Sequence, residues 1–371
     1  MSVEINQETP ANPRDWSGGI DSYLEEHQIA CEKVTPLSGG LSSWVWRLDG
    51  LKPDDGLAAA RPCGGREGEP VILKCADDMA KLAPVPLAAE RLQLEIKALR
   101  SHAVAEACRQ EPSVEVPRVL KETYRGYLMA WGGEMDLRVA YKEGKLTEAA
   151  AVGARLGKWL ACLHLAGTDR DGWGTHNDDV DKFIAPGGLE EQAIRAAMGK
   201  EGSSEEETER VFDVLRQPAP VQTLTPWDFR PMNTLVRFSK DKEPELTIVD
   251  WEFSHYGDPA YDLRLWAAEA MVLEAKFGRD EDENRGSLLS SFLRAYRLGT
   301  GDAIVDEAFV CKVAIALGAF VLLFMPAPFW DCAEEDNEPW RKLALQYVKA
   351  GAEADIAWLR QSSLGPLLVK P

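Results

Sequence analysis

The chain has 371 residues, 45% hydrophobic and 28% charged, with a formal net charge of −19 at pH 7. At roughly 150 residues per domain, this length fits two packed units of an ordinary globular protein. The charge argues against attraction to DNA or RNA phosphates, which needs clustered Lys and Arg, so no nucleic-acid partner is expected.

The acidic, polar N-terminal stretch "MSVEINQETPANPRDW" lacks the basic and apolar blocks of a secretory signal. Residues 34 to 76 read as β. In "VTPLSGGLSSWVWRLDG" a small glycine-bearing turn precedes a Trp/Val alternation, and "EPVILKCA" is a further strand. The intervening "LKPDDGLAAARPCGGREGEP", rich in Pro, Gly and charge, predicts a loop. "AAERLQLEIKALRSHAVAEA" is predicted as one helix, with Leu92, Ile96, Leu99 and Ala103 on one face. "VPRVLKETYRGYLMAWGG" predicts two short strands.

From Thr147, predicted as a helix N-cap, helices dominate, and "GSSEEETER" reads as a solvated acidic helix start. The one β interruption predicted there is the pair "TLVRF" and "ELTIVD", joined by the polar "SKDKEP". The longest apolar run, Val313 to Met325, falls short of the ~20 residues of a spanning helix and is predicted as a core helix. Seven cysteines, an odd number without Cys-x-x-Cys, resemble neither a disulfide framework nor a zinc site and are expected as reduced, mostly buried thiols. The expectation is an α+β, cytoplasmic protein with no membrane association, its strand-rich residues 1–130 and helix-rich residues 131–371 forming two domains.

The hairpin carries the first chemical signal. In an antiparallel pair the start of one strand lies beside the end of the next, which places Asn233 beside Asp250. Asp228 is in the short lead-in loop stiffened by Pro231. Converging carboxylates repel unless a cation sits between them, and Asp with Asn oxygens suit Mg²⁺ held together with substrate phosphates. Each residue alone is also a common turn or cap residue. Lys74 adds to the pattern, because a charge inside the apolar strand "VILKCA" is costly to bury without a partner. Glu95, bordering the inward face of the following helix, is the candidate partner. If the second hairpin strand continues, its two-residue period turns Glu252 the same way as Asp250 and adds a metal ligand.

This ordered set resembles the protein-kinase-like fold in its small-molecule branch: the aminoglycoside phosphotransferase and methylthioribose kinase group, which includes choline kinases and fungal hydroxytryptamine kinases. The chain is similar to a fungal-type member over about residues 34 to 265. The resemblance implies two lobes, the N-terminal one an antiparallel sheet plus one helix and the C-terminal one larger and mostly helical. It implies ATP and Mg²⁺, with Lys74 on the α/β-phosphates paired to Glu95, Asp228 as catalytic base, and Asn233, Asp250 and Glu252 on metal. "LSGGLSS" takes the place of the glycine-rich loop, with Ser38, Gly39, Gly40 and Ser42 over the phosphates. "YLMAWGG" takes the place of the interlobe hinge, with Met129 and Trp131 at the adenine.

The family's His-Gly-Asp stands here as Pro226-Trp227-Asp228, so the loop lacks its bracing histidine. Asp262 in "GDPAYDL" is expected to hydrogen-bond that loop or cap the next helix, and His164 to be a satisfied core histidine. Arg230 and Arg264 are placed in ion pairs, and Trp227 and Trp251 either in the core or as walls of an acceptor pocket. Eight residues separate Asp250 from Pro259, too few for the activation segment of a protein kinase, so the implied partner is a small hydroxylated substrate. The acidic, aromatic "PFWDCAEEDNEPW", Pro328 to Trp340, would suit an amine-bearing acceptor or form a surface loop. The implied reaction is transfer of the γ-phosphoryl of ATP to a hydroxyl of a small metabolite. The alternative is a non-catalytic kinase-like nucleotide-binding or scaffold protein, which would not need all five polar residues together.

Overall fold

The computed structural model describes residues 19–37, 40, 42–52, 68–81, 86–168, 176–240, 242–278, 287–324 and 337–370. Two compact units emerge, Met1–Leu92 with Arg118–Trp131 and Gln93–Pro117 with Gly132–Pro371. This division differs from a single cut at residue 130 because Gln93–Pro117 groups with the second unit. Within it, Val114–Glu115 pairs in parallel with Glu245–Ile248, and the helix His102–Gln110 packs on the helix Ala149–Ala166.

In the first unit a five-stranded antiparallel sheet runs in the order Lys33–Pro36, Trp44–Asp49, Val71–Cys75, Gly126–Ala130, Val119–Thr123. Side chains alternate across it, as the two-residue period of a strand requires. Leu73 and Cys75 join Trp46, Leu48 and Leu128 in a core closed by Tyr23 and Leu24 of the helix Asp21–Glu26. Lys74 therefore faces the other way, yet it is only 3% exposed. Cys31, Cys75, Cys108, Cys162 and Cys311 are free thiols.

The single helix predicted from residue 88 to 107 is two, Arg91–Leu99 and His102–Gln110. Ser101 breaks it by capping the second helix, its hydroxyl accepting from Val104 N at 3.3 Å. The helix Ala149–Ala166 is entered through Glu148 with no side-chain cap, so Thr147 is not its N-cap. A capping box of Ser204 and Glu207 opens the acidic helix Glu205–Leu215. The predicted hairpin is present, Thr234 pairing with Ile248 and Arg237 with Glu245. It belongs to a four-stranded sheet ordered Val114–Glu115, Glu245–Ile248, Thr234–Arg237, Met135–Asp136. A second small sheet, Thr223–Thr225 against His255–Gly257, was not foreseen, since strands of three residues show no readable period. The apolar run as far as Phe324 lies in the mostly buried helix Glu307–Phe324, Met325 lying outside the described residues, and no helix among the described residues is long and apolar enough to cross a membrane.

Candidate active site

In the second unit the strand Thr223–Thr225 delivers Trp227 and Asp228, after which a 3₁₀ turn, Pro231–Asn233, starts the hairpin. Pro231 suits the first position of that turn, where its fixed φ is already helical and no N–H is required. Val249 N donates to Asn233 O at 2.9 Å, which carries the register one step past Ile248 and sets Asn233 beside the chain entering Asp250. Asn233 Nδ2 donates to Asp228 Oδ2 at 2.7 Å and to Asp228 O at 3.0 Å. Asp228, Asn233 and Asp250 thus converge at one end of the hairpin. The backbone is strained on both sides of the group, with φ of 64° at Trp227 and 66° at Asp250. A left-handed conformation costs a non-glycine residue roughly 1–2 kcal/mol.

Burial lifts the Asp228 carboxyl to about 6; the charges of Asp250 and Glu269 add to this, and Arg230 and the Asn233 hydrogen bond oppose it. Arg230 Nε lies 3.6 Å from Asp228 Oδ1 and 3.4 Å from Glu269 Oε1, the ion pairing expected of it. Glu269 is fully buried, and its other oxygen accepts from Met232 N at 3.3 Å. In the sequence Glu269 shows only as a lone carboxylate inside the apolar run "LRLWAAEAMVL".

Behind the loop, the fully buried His164 has Nε2 at 2.9 Å from Asp262 Oδ2 and Nδ1 at 2.8 Å from the Tyr296 hydroxyl. Asp262 Oδ1 accepts from Trp227 N at 2.8 Å. Burial pushes the Asp262 carboxyl up, opposed by these hydrogen bonds. His164 is the satisfied core histidine expected, and Asp262 braces the loop through the main chain.

Trp251 is a core residue, the first of the two places expected for it. Its ring is fully buried edge-on to Trp159, its indole N donates to Ile248 O at 3.0 Å, and its amide donates to Glu95 Oε1 at 3.0 Å. Trp227 is half-buried, edge-on to Phe183 and stacked with Tyr261, with the Arg264 guanidinium 5.0 Å from its ring centre. The premise behind Glu252 fails: the strand ends at Ile248 and the chain turns, Ser254 N donating to Trp251 O, so a two-residue alternation does not apply. Glu252 is fully buried in that turn, its carbonyl accepting from Asn177 Nδ2 at 3.1 Å.

In the first unit, Gly40 has a φ of 69° and Ser42 is buried, while Ser38 and Gly39 lie outside the described residues. Ser42 O accepts from Arg91 Nη2 at 2.9 Å, and the same guanidinium reaches Asp77 O and Ala88 O. This buried arginine, unread in the sequence, ties the small-residue turn to the helix start. Met129 pairs in register with Ile72, and the Arg47 guanidinium lies 5.1 Å from the Trp131 ring centre.

A cavity of about 580 Å³ in the second unit is lined by Tyr261, Glu190, Asp258, Lys312, Phe212 and Arg216 among others. Its carboxylates are largely paired, Glu190 with Arg264 and Asp258 with Lys312 at 2.7 Å. Of the acidic stretch Pro328 to Trp340, only Asn337–Trp340 is among the described residues, opening the helix Asn337–Ala352.

Residues 79–307, more than half of the chain, match the phosphotransferase enzyme family. The match includes Glu95, Asp228, Asn233 and Asp250 and begins after Lys74. No curated protein matches the chain. Similar solved structures include the ADP-bound aminoglycoside phosphotransferase APH(2'')-Ib, at 16% identity over 90% of this chain and 99% of that one, TM-score 0.48. A Plasmodium vivax ethanolamine kinase is similar at 11% identity over 85% and 82%, TM-score 0.44. A Cryptosporidium parvum choline kinase is similar at 13% identity over 96% and 97%, TM-score 0.45. At these identities and scores the structural likenesses carry no argument, and the assignment rests on the family match.

Proposed function

The chain belongs to the phosphotransferase enzyme family, and from that premise we propose an ATP-dependent small-molecule kinase that transfers the γ-phosphoryl group to a hydroxyl of a small metabolite. The observation that carries this reading is the convergence of Asp228, Asn233 and Asp250, with a carboxyl near 6 held by a 2.7 Å amide hydrogen bond. Asp228 orients the acceptor hydroxyl and takes its proton, a role suited to a carboxyl that is mostly ionised at neutral pH yet basic enough to accept.

Asn233 and Asp250 are assigned to Mg²⁺. The Asn233 Nδ2 is engaged by Asp228, which leaves Oδ1 as the donor atom beside the Asp250 carboxylate, a hard-oxygen pair that fits this ion. When bound, Mg²⁺ offsets charge on the β- and γ-oxygens of the nucleotide. Glu95, anchored to the amide next to Asp250, and Lys74, a buried ammonium on an apolar strand, are assigned to nucleotide placement. Gly40 and Ser42 cover the phosphates, and Met129 and Trp131 flank the adenine. Glu252 is left out of the ligand set, because its turn removes the reason for including it. The acceptor is small, since the chain between Asp250 and the helix Ala260–Phe277 holds little beyond one three-residue strand.

The test is ATP consumption by the purified protein with Mg²⁺ and a panel of sugars, amino alcohols, hydroxy-indoles and aminoglycosides. Turnover is expected with one acceptor class and is expected to fall about 10²–10⁴-fold in Asp228→Asn, with ATP binding retained. Absence of nucleotide binding overturns the reading.

A further inference from the structure

We propose that His176, Asp181 and His255 form a binding site for one Zn²⁺ ion, apart from the phosphoryl-transfer residues and independent of that assignment. The ligand atoms of these three side chains all lie within 4.8 Å of one another. His176 Nδ1 is 3.7 Å from Asp181 Oδ2, and His255 Nδ1 is 3.9 Å from Asp181 Oδ1. Each carboxylate oxygen therefore faces a different imidazole nitrogen at a separation too long for a hydrogen bond.

His255 makes the strongest case. The residue is 7% exposed, and its buried Nδ1 has no hydrogen-bond partner. Buried polar atoms are rarely left in that condition, and a metal ion is one of the groups that relieves it. The ring occupies the space a side chain at 257 would take, since a Cβ built at Gly257 would stand 2.0 Å from His255 Nε2. Glycine at 257 is what admits the imidazole in this orientation.

Two imidazoles and a carboxylate are a zinc donor set, with bonds of about 2.0–2.2 Å that put ligand atoms roughly 3.3 Å apart around a tetrahedral centre. The two nitrogen-to-oxygen separations, 3.7 and 3.9 Å, lie close to that spacing, and the widest separation in the set, bounded by 4.8 Å, must close by up to about 1.5 Å. His176 and Asp181 are free to supply that movement, with side chains 71% and 44% exposed. Nitrogen donors also distinguish the site from the oxygen pair of Asn233 and Asp250, so Zn²⁺ and Mg²⁺ sort by ligand chemistry. The framework stands before any ion arrives. Asp181 is on the helix Asp178–Ile184, His255 on the strand His255–Gly257, and Asn177, the cap of that helix, donates to Glu252 O just before the strand. All three ligands line the cavity wall, and a three-ligand set leaves a coordination position for water.

The test uses the full-length chain stripped with a chelator, loaded with Zn²⁺ alone, gel-filtered and assayed for bound metal. One equivalent is expected on the wild-type chain and on Asp250→Asn. The exposed His176→Ala and the milder Asp181→Asn are expected to weaken binding at least about tenfold. Zn²⁺ should raise the melting temperature of the wild type but not of His176→Ala, whose zinc-free melt should match the wild type. Co²⁺ in place of Zn²⁺ should give the visible absorption of a four-coordinate ion, absent in His176→Ala. The proposal is overturned if the stripped wild type retains no zinc, or if His176→Ala and Asp181→Asn retain it with unchanged affinity.

Discussion

Burial beside Asp250 and Glu269 raises the Asp228 carboxyl from 3.8 to about 6, so the native chain holds that proton more tightly than the unfolded chain does. Between those two values the folded state binds more protons, and native stability falls as pH rises through the window; the loss persists above it. In the metal-free protein, Asp228→Asn is therefore expected to be more stable than the wild type at pH 7.5, by about 1–2 kcal/mol after allowing for partial solvent screening. The gap should close as pH falls below 3.8. Denaturant unfolding at pH 7.5 and at the lowest pH that preserves the fold measures both, and a less stable variant at pH 7.5 would sink the argument. Asp262→Ala works in the opposite sense. It strands both Trp227 N and His164, and a loss of about 3 kcal/mol or more is expected together with a fall in kcat larger than the change in KM. The convergence of Asp228, Asn233 and Asp250 at one end of the hairpin was legible because hairpin register is fixed by apolar alternation and a short polar turn. The strand continuation behind Glu252 was not legible because the two-residue period holds only while the chain stays extended, and here it turns at Trp251. Glu269 was missed because its role is set across space by Arg230, for which no spacing rule exists.

Among the elements, the helix Ala149–Ala166 and the helix Leu288–Thr300 touch backbone to backbone. A Cβ at Gly153 would stand 2.1 Å from Leu288 O, and one at Gly157 would stand 2.1 Å from Phe292 O. Neither carbonyl can yield without moving its helix, so Gly157→Ala is expected to cost about 1–3 kcal/mol despite the better helix propensity of alanine. Thermal unfolding reports this directly, and an unchanged or raised melting point would show that the helices separate freely. The helix break at Ser101 was hidden because Leu99 and Ala103 keep the apolar spacing across it. The cap itself is testable, Ser101→Ala being expected to cost about 0.5–2 kcal/mol. Long periodic segments such as Glu307–Phe324 were legible, whereas strands of two or three residues were not, since their existence depends on a distant partner. The parallel pairing of Val114–Glu115 with the hairpin is the clearest instance.

For the molecule as a whole, a net charge of −19 makes self-repulsion a standing load on the compact state. Screening should relieve it, and the melting temperature is expected to rise as NaCl is raised from about 20 mM to about 500 mM, where the Debye length shrinks to a few ångströms. A fall would mean that exposed ion pairs such as Arg195 with Glu205 outweigh the repulsion. Buried contacts are insulated from that change, the one from Trp227 N to Asp262 among them. Because the donor there is a peptide amide, the anchorage uses no functional group of the side chain at 227. The left-handed φ of 64° and the packing of the ring still constrain the residue at 227, and a proline there, which has no hydrogen on its nitrogen, would erase the bond. Substitution is thus constrained at 262 by the need for a carboxylate acceptor and at 227 by the shape of the backbone.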